Sequence, residues 1–266
     1  MISIITITYN SEKFIEQTIK SVLSQDYPCF EYIIVDGLSS DRTLDIVRNY
    51  ARLDHRIKWI SEPDRGISDA MNKGISLATG EVVSHLHSDD TYLPGTLGVV
   101  SGFFQRNPEA KWLTGCLRYV DENGKVLYDG TLRNDYSLDS LLCRNIISHP
   151  ATFIKRDVFA EVGYFSDKCR YAMDYDLWLR IAAKYPVSAI NKVLATFRVH
   201  SQSLSTSDIL EAISEDFKIR RKYRKIYGQT YYISDSCRFI KDYLIALFGL
   251  SNYLKIFRSY LKNIIA

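Results

Sequence analysis

The clearest indication of the fold comes from residues 2–36, ISIITITYNSEKFIEQTIKSVLSQDYPCFEYIIVD. This segment opens with Ile2–Thr8, a run rich in β-branched residues, and continues with a helical stripe that Pro28 stops. Tyr32–Val35 then forms a short continuous apolar run, which is typical of a strand buried in a parallel sheet. The predicted order is therefore strand, helix, strand. The helical stripe consists of Phe14, Ile15, Ile19, Val22 and Leu23.

The same alternation runs on to residue 86. Val47 lies on the apolar stripe of a second helix, Ile57–Ile60 is a third strand, Ile67–Ala78 has strong helical spacing, and Val82–Leu86 is a fourth strand. Strands joined by helices of this length predict right-handed βαβ units and a parallel sheet covered on both faces. Because ligands of such sheets bind at the carboxyl ends of the strands, acidic residues at those ends are the candidates for a site.

The pattern changes after residue 105. Lys111–Val120 and Lys125–Tyr128 flank an Asn-Gly turn at Asn123, so an antiparallel hairpin is predicted there. A helix over Ala172–Lys184 and an alternating strand over Val193–Val199 complete the second half. The fold class predicted is α/β, with a mixed, mostly parallel sheet flanked by helices.

Charge divides the chain into two parts. The net charge is +3, and residues 207–266 hold 11 Lys and Arg against 6 Asp and Glu, whereas residues 1–206 hold 23 against 25. We predict one domain over residues 1–206, with halves 1–105 and 106–206, and a basic helical tail over residues 207–266. Such a tail suits an anionic membrane surface, and it equally suits a solvated helix face. The sequence leaves both interpretations open.

The five cysteines are widely spaced and form no CxxC pair or zinc-ligand pattern, which predicts reduced thiols and a cytoplasmic protein. The chain opens in a strand-like run with no secretory signal pattern. Its longest apolar stretch, Tyr243–Leu250, is far shorter than the ~20 residues that a membrane-spanning helix needs. We therefore expect any contact with the inner face of the cell membrane to be peripheral, through the tail.

Two adjacent carboxylates, Asp89 and Asp90, directly follow the fourth strand in the sequence HLHSDD. Neighbouring carboxylates repel each other, so a cation or hydrogen-bond donors must compensate them. Mg²⁺ or Mn²⁺ bridging the oxygens of a diphosphate fits this pair. The alternative is that Ser88, Asp89 and Asp90 cap a following helix.

Two further acidic positions lie at predicted strand ends or helix starts. Asp36 ends the second strand, where it would accept hydrogen bonds from a base or a ribose, or serve as a turn residue. Asp64 and Asp69 bracket the start of the third helix, and Arg65 between them adds a cation for a phosphate or a carboxylate.

The ordered set TYN, VDGLSSDRT, EPDRGISDAMNKGI, HLHSDD and MDYDLWLR resembles the family 2 glycosyltransferases of GT-A fold, and it covers residues 1–205. The resemblance implies a nucleotide-diphospho-sugar donor, preferably a UDP-sugar, a divalent metal, Mn²⁺ or Mg²⁺, and transfer with inversion at the anomeric carbon. By the same resemblance, residues 1–105 are the nucleotide-binding half and residues 106–206 are the acceptor and catalytic half. The acceptor implied is a hydroxyl group of a glycan or of a polyprenyl-diphosphate-linked glycan in polysaccharide assembly, and no nucleic acid is expected as a partner.

The resemblance also assigns roles on the donor side. Asp90 is the first candidate for direct metal ligation. His87 departs from the Asn or Asp often found at its position. The donor-side residues implied are Thr8 and Asn10 in the nucleotide pocket, Asp36 on the base or ribose, Asp69 as a further nucleotide-side carboxylate, and Asp89 beside the metal.

The general base is expected from the second half. In similar enzymes a carboxylate of a Glu-Asp pair before an apolar-aromatic helix removes the acceptor proton, and here that pair is Met173-Asp174. The Glu is missing, Asp174 keeps the matching position, and Asp176 is the fallback. The alternative is that both Asp residues only stabilise the first turn of a helix.

Arg198 and His200 alternate with Val199 and so share one face of a strand, from which both would reach a diphosphate. His200 is a further candidate metal ligand, or it is simply hydrogen-bonded. His149 resembles a family position near the acceptor.

Two other functions remain open from the sequence. A nucleotidyltransferase would carry a Gly-rich basic loop after the first strand, and Thr8–Glu12 is not one; no GxGxxG or P-loop follows any strand. A non-catalytic scaffold of a polysaccharide-assembly complex would explain the missing Glu before Asp174.

Overall fold

The computed structural model describes residues 1–200, 203, 208–228, 239 and 243. The chain divides into two compact units, residues 1–200 and residues 201–266. The boundary predicted after residue 206 falls outside the described residues and stays a prediction, as do the aromatic segments of the tail beyond residue 243.

One sheet of eight strands organises the first unit, in the order β3-β2-β1-β4-β7-β5-β6, with β8 beside β5. Strands β1 to β4 run parallel to one another. β7 runs antiparallel to β4 and β5, and β8 pairs parallel with β5. The predicted mixed, mostly parallel α/β sheet is therefore confirmed. The strands are β1 (Ile2–Thr8), β2 (Phe30–Asp36), β3 (Ile57–Ser61), β4 (Val82–His85), β5 (Trp112–Val120), β6 (Val126–Asp129), β7 (Thr152–Lys155) and β8 (Ser188–Arg198).

Helices flank this sheet because each presents one apolar stripe to it. In the first helix Ile15, Ile19 and Val22 are buried, as their spacing predicts. A Cβ on Gly74 would clash with Ile5, so the absence of a side chain there lets the third helix lie directly on β1. The helices are α1 (Ile15–Leu23), α2 (Thr43–Leu53), α3 (Ile67–Leu77), α4 (Thr96–Arg106), α5 (Leu138–Cys143), α6 (Asp157–Val162) and α7 (Met173–Ala182).

The hairpin and β8 differ in how well the sequence predicted them. The β5–β6 hairpin forms where Asn-Gly predicted it, with Gly124 at a φ of 83°. β8 begins five residues before the predicted Val193, because the exposed residues Asn191 and Lys192 interrupt the apolar alternation. Two register shifts along the β5–β8 pairing accommodate this irregular start.

In the second unit the described helix is α8, Ile209–Ile226. Lys218, Arg221, Lys222 and Lys225 are exposed, and their spacing places them on one helical face. Arg220 and Arg224 are buried, and Arg220 pairs with Asp216 at 2.9 Å. Among the described residues no helix is long and apolar enough to cross a membrane.

Candidate active site

The loop after β4 brings two carboxylates to the carboxyl end of the parallel strands. Asp90 is 2% exposed, and burial together with the neighbouring Asp89 carboxylate raises its pKa well above the ordinary range. Burial, the largest single influence on Asp89, would raise its pKa, but the hydrogen bond with His200 and the weaker charge interactions together outweigh burial, so the pKa of Asp89 is lowered. Asp89 therefore has His200 as its hydrogen-bond partner, whereas a bound cation would stabilise the charged form of the buried Asp90 carboxylate.

The helix-capping alternative for this loop is wrong. Residues 91–95, all of them described, are not helical, and α4 begins only at Thr96 after Gly95. The loop is instead fixed by β8. The backbone N–H of Thr196 donates to the carbonyl of Thr91 at 2.7 Å, and the backbone N–H of Thr91 donates to the Thr196 hydroxyl at 2.9 Å.

Arg198 contributes most to holding the acidic loop. Its backbone N–H donates to Oδ1 of Asp90 and its Nε donates to the backbone carbonyl of Asp89, both at 2.9 Å. Nη1 donates to the carbonyl of Glu122 at 3.0 Å, and Nη2 donates to Oε1 of Gln17 at 2.8 Å. The guanidinium lies over the ring of Phe14 and the residue is 3% exposed. The contact with a diphosphate predicted for Arg198 stays a prediction, and its described contacts are those of a residue that positions the loop.

A divalent metal fits the donor set at this loop. Asp89 and Asp90 are adjacent in this loop, and Nε2 of His200 lies 2.9 Å from Oδ2 of Asp89. In the described part of the chain no three acidic, His or Cys side chains form a metal site by themselves. Mg²⁺ and Mn²⁺ characteristically take one or two carboxylates and complete their shell with substrate phosphate oxygens and water. Asp89 and Asp90 would be those carboxylates.

The predicted nucleotide-side residues cluster at the ends of β1 and β2. Thr8 and Asp36 are direct neighbours in the parallel register. Oγ1 of Thr8 is buried and has no partner among the described residues, so it is available to a ligand. The Asp36 carboxylate is buried and accepts from the backbone N–H of Ser39 at 3.1 Å and from the Ser61 hydroxyl at 2.7 Å. Asp36 therefore holds the loop that follows β2.

Asn10 and Asp69 are also occupied by local contacts. Asn10 has a φ of 49°, and its Oδ1 accepts from the backbone N–H of Ser40 at 2.8 Å. Asp69, in the first turn of α3, pairs with Arg65 at 3.0 Å and with Lys73 at 3.5 Å. The cation expected at Arg65 thus meets a carboxylate. Contacts of Asn10 and Asp69 with a nucleotide stay predictions.

The two candidate bases occupy the first turn of α7, as predicted, but they differ in their contacts. Oδ2 of Asp174 lies 3.8 Å from Nδ1 of His149 and 3.5 Å from Nδ2 of Asn145. Asp176 is 2% exposed, and its Oδ2 accepts from Nε of Arg180 at 2.9 Å. Asp176 is thus part of a buried ion pair, whereas Asp174 is a partly exposed carboxylate beside an imidazole.

Three histidines connect the acidic loop with the Asp174 region. The ring of His149 lies 4.9 Å from that of His87 and 5.9 Å from that of His85. Burial lowers the pKa of all three, that of His85 to about 3, so these imidazoles are neutral. His149, predicted near the acceptor, lies beside the candidate base.

Several residues that hold the site together carried no recognisable signal in the sequence. Gln17 and Phe14 support Arg198 from α1. Asn72 exchanges two hydrogen bonds with the backbone of Phe165, at 2.9 and 3.0 Å, and so ties α3 to the loop before α7. These contacts join residues that are 93 or more positions apart, and no local periodicity encodes them.

Residues 3–163 match the model of the family described as Glycosyl transferase family 2. This chain is a family 2 glycosyltransferase. The matched region contains β1 to β7, the acidic loop and His149.

Relatives of this glycosyltransferase support the assignment over most of its length. The putative teichuronic acid biosynthesis glycosyltransferase TuaG of Bacillus subtilis is 31% identical over 211 residues, which are 78% of this chain and 82% of TuaG. The O-antigen biosynthesis glycosyltransferase WbnJ of Escherichia coli is 26% identical over 234 residues, 85% of this chain and 90% of WbnJ.

Solved structures share its fold. Staphylococcus aureus TarS in complex with UDP-GlcNAc superposes with a TM-score of 0.71 at 21% identity, covering 94% of this glycosyltransferase and 73% of the TarS chain. The mannosyltransferase PcManGT of Pyrobaculum calidifontis, in complex with GDP-Man and Mn²⁺, gives 0.65 at 19% identity over 93% and 70%. The predicted GT-A fold is confirmed.

Proposed function

We propose that this glycosyltransferase moves a hexose-type sugar from a UDP-sugar to a hydroxyl group, with inversion at the anomeric carbon, in the assembly of a surface polysaccharide. The acceptor is a glycan or a polyprenyl-diphosphate-linked glycan. The observation that carries the proposal is that His149, 3.8 Å from the Asp174 carboxylate, contacts the ring of His87, which lies two residues before Asp89 in the acidic loop. The names of TuaG and WbnJ support the polysaccharide context, and TarS and PcManGT support a nucleotide-sugar donor.

The nucleotide binds at the ends of β1 and β2. The unpartnered Oγ1 of Thr8 hydrogen-bonds to it, and the loop that Asp36 and Asn10 hold borders it. Tyr9 is 65% exposed and lies beside Gly37, so its ring is available to stack on the base. Asp69 lies in the first turn of α3 and contributes a nucleotide-side carboxylate.

Asp89 and Asp90 would hold the divalent metal, and His200 would orient Asp89 or join the ligand set. When bound, the metal would neutralise negative charge on the leaving diphosphate. The loop that carries both residues is held by β8, so it is organised before the donor arrives.

Asp174 removes the proton from the acceptor hydroxyl while that oxygen attacks the anomeric carbon from the side opposite the diphosphate. A single displacement of this kind inverts the centre and needs no covalent intermediate. Asp174 suits the role because it is partly exposed at the start of a helix whose Leu177 and Ile181 are fully buried. The backbone of the base is thereby fixed by packing.

The decisive experiment is a transfer assay with a panel of UDP-hexoses and GDP-mannose, with Mn²⁺ or with EDTA, in which released nucleotide and glycosylated product are both measured. We expect transfer only with metal, and an inverted anomeric configuration by NMR. Asp90→Ala should abolish transfer and metal-dependent donor binding, and the fold should survive. The matched control is Asp45→Asn, which removes an exposed carboxylate of α2.

Three results would contradict the proposal in different ways. Full activity in EDTA would exclude the metal, and a retained configuration would exclude single displacement. A folded protein that neither binds nor cleaves any nucleotide sugar would support the scaffold instead.

The second unit attaches the enzyme to the inner face of the cell membrane. The exposed cationic face of α8, formed by Lys218, Arg221, Lys222 and Lys225, supports this localisation. The aromatic and aliphatic residues of the sequence 243–260 would add apolar burial to this cationic attraction, and stable attachment needs both. Deletion of residues 230–266 should therefore move the protein from the membrane to the cytoplasmic fraction and spare transfer to a water-soluble acceptor. If the truncated protein still sediments with anionic vesicles, residues 230–266 do not provide the attachment.

A further inference from the structure

His149 is held in one orientation by aromatic rings on several sides. It begins the 3-10 turn His149–Ala151 before β7, and its side chain is 11% exposed. Phe165 stacks on it at a centroid distance of 5.9 Å, Trp178 meets it edge-on at 5.5 Å, and His87 meets it edge-on at 4.9 Å. An imidazole packed in this way has little rotational freedom, so the packing fixes the positions of its two nitrogens.

The two nitrogens of His149 have different surroundings. Nδ1 lies 3.8 Å from Oδ2 of Asp174. Nε2 is buried, and no described residue lies within hydrogen-bonding distance of it. A neutral imidazole carries one proton, and that proton is more stable on the nitrogen that faces an acceptor. The Nδ1–H tautomer is therefore favoured, with its N–H directed at the carboxylate.

The carboxylate of Asp174 is also constrained from its other side. Oδ1 accepts from the backbone N–H of Tyr175 at 2.6 Å, and Nδ2 of Asn145 approaches Oδ2 at 3.5 Å. These contacts hold the plane of the carboxylate between the helix start and the His149 ring. The contact of 3.8 Å with Nδ1 is long for a hydrogen bond, and such contacts characteristically tighten when substrate binds.

We infer that His149 is a positioning residue that donates its Nδ1–H to Oδ2 of Asp174 and so aims the carboxylate at the acceptor hydroxyl. The inference rests on the proposed role of Asp174 as the base. A neutral donor suits this task better than Lys or Arg, because a cation beside the carboxylate would lower its pKa and weaken it as a base. His149 packs against the uncharged rings of Phe165 and Trp178, which suits a neutral donor.

The test compares two substitutions, one that removes the hydrogen-bond donor and one that keeps a donor near the same position. His149→Phe keeps the ring packing and removes the donor, and His149→Asn places an amide N–H near the position of Nδ1–H. We expect kcat to fall roughly 10- to 100-fold in the Phe variant, with donor affinity and acceptor KM changed less than about twofold. The Asn variant should recover most of the loss. His55→Phe, at an exposed position between α2 and β3, is the matched control.

A double-mutant cycle separates this inference from the proposed function. In the Asp174→Asn background, His149→Phe should have no further effect, because the carboxylate that it positions is gone. If Asp174→Asn keeps full transfer, the base assignment itself is wrong. If Asp174→Asn loses transfer while His149→Phe keeps the parent kcat, only the positioning role is wrong.

Two further outcomes would overturn the positioning role. One is a rise in acceptor KM alone, and the other is an effect of His149→Phe that persists when Asp174→Asn is also present. If the Phe variant unfolds, the kcat of the Asn variant tests the positioning role. The role requires that the Asn variant keep nearly full activity, and a large loss there contradicts it.

Discussion

Nε2 of His200 lies 2.9 Å from Oδ2 of Asp89 and so joins the end of β8 to the acidic loop after β4. It is the last of three alternating contacts. Thr196 pairs with Thr91, Arg198 binds the Asp89 carbonyl and Oδ1 of Asp90, and His200 binds the Asp89 carboxylate. Alternate residues at the end of β8 and just beyond it thus hold residues 89–91 of the loop.

Replacement of Arg198 by Lys tests whether this residue positions the loop or contacts the diphosphate. A Lys has no fork of donors, so the carbonyls of Asp89 and Glu122 and the amide of Gln17 cannot all be satisfied. We expect a loss of roughly 1–3 kcal/mol in the free energy of unfolding and at least about tenfold weaker Mn²⁺-dependent donor binding. Arg118→Lys, which alters an exposed pair with Asp129, is the control for denaturant unfolding and calorimetry. Weaker donor binding with unchanged stability would instead favour direct contact with the diphosphate.

Asp174→Asn and Asp176→Asn should affect different properties. The first removes the base and should lower transfer by about 10²–10⁴, with the donor affinity unchanged. The second breaks the buried pair with Arg180 and should mainly lower stability, by roughly 1–3 kcal/mol. Steady-state kinetics and thermal unfolding of both variants provide the comparison. Loss of transfer in the Asp176 variant at unchanged stability, with an active Asp174 variant, would move the base two residues along.

Glu31 predicts a pH-dependent contribution to stability away from the site. Its buried carboxylate accepts from Ser3, Thr79 and Lys58, each at 2.6 Å. Burial alone would raise its pKa, but the hydrogen bonds with Lys58, Ser3 and Thr79 lower it to about 2. The unfolded chain therefore takes up this proton first as the pH falls, so the stabilisation is complete above pH 4.5 and is lost toward pH 2.

Glu31→Gln should accordingly cost roughly 1–3 kcal/mol at about pH 7 and clearly less at about pH 3.5. Urea unfolding of the parent and the variant at both pH values measures the difference, and Glu109→Gln, at an exposed position, is the control. An equal cost at the two pH values would show that the Glu31 charge does not contribute.

The cationic face of α8 makes its own prediction for membrane attachment. Changing Lys218, Arg221, Lys222 and Lys225 to Ser should weaken binding to phosphatidylserine vesicles by about 1 kcal/mol for each residue, and it should leave binding to neutral vesicles unchanged. Sedimentation at two salt concentrations measures this, since electrostatic attraction falls as salt rises. If the fourfold variant binds vesicles as the parent does, this face is a solvated helix surface that does not contribute to membrane attachment.

The strands, the helices and their order along the chain could be predicted from the sequence. The alternation of Ile2–Thr8, the stripe from Phe14 to Leu23 and the Asn-Gly turn are local patterns, because the period of side chains along a strand or helix is fixed within a few residues. The same patterns placed Thr8 and Asp36 at strand ends, Asp90 in the segment after the fourth strand and Asp174 in the first turn of α7, where the structure has them. The motifs also sufficed to indicate the family.

The contacts that hold these residues in place depend on tertiary packing and could not be predicted from the sequence. Asp89 and Arg198 are 109 residues apart in the chain, and the hydrogen bond between them depends on the parallel pairing of β8 with β5, which no local period encodes. The same holds for His149 beside Asp174. The pairing of Asp176 with Arg180 is a local i,i+4 contact, but the burial of Asp176, which distinguishes it from Asp174 on the same helix turn, depends on tertiary packing. Packing fixes the direction of a side chain and its exposure to water, and these two properties distinguish a carboxylate that can take a proton from one that only stabilises the fold.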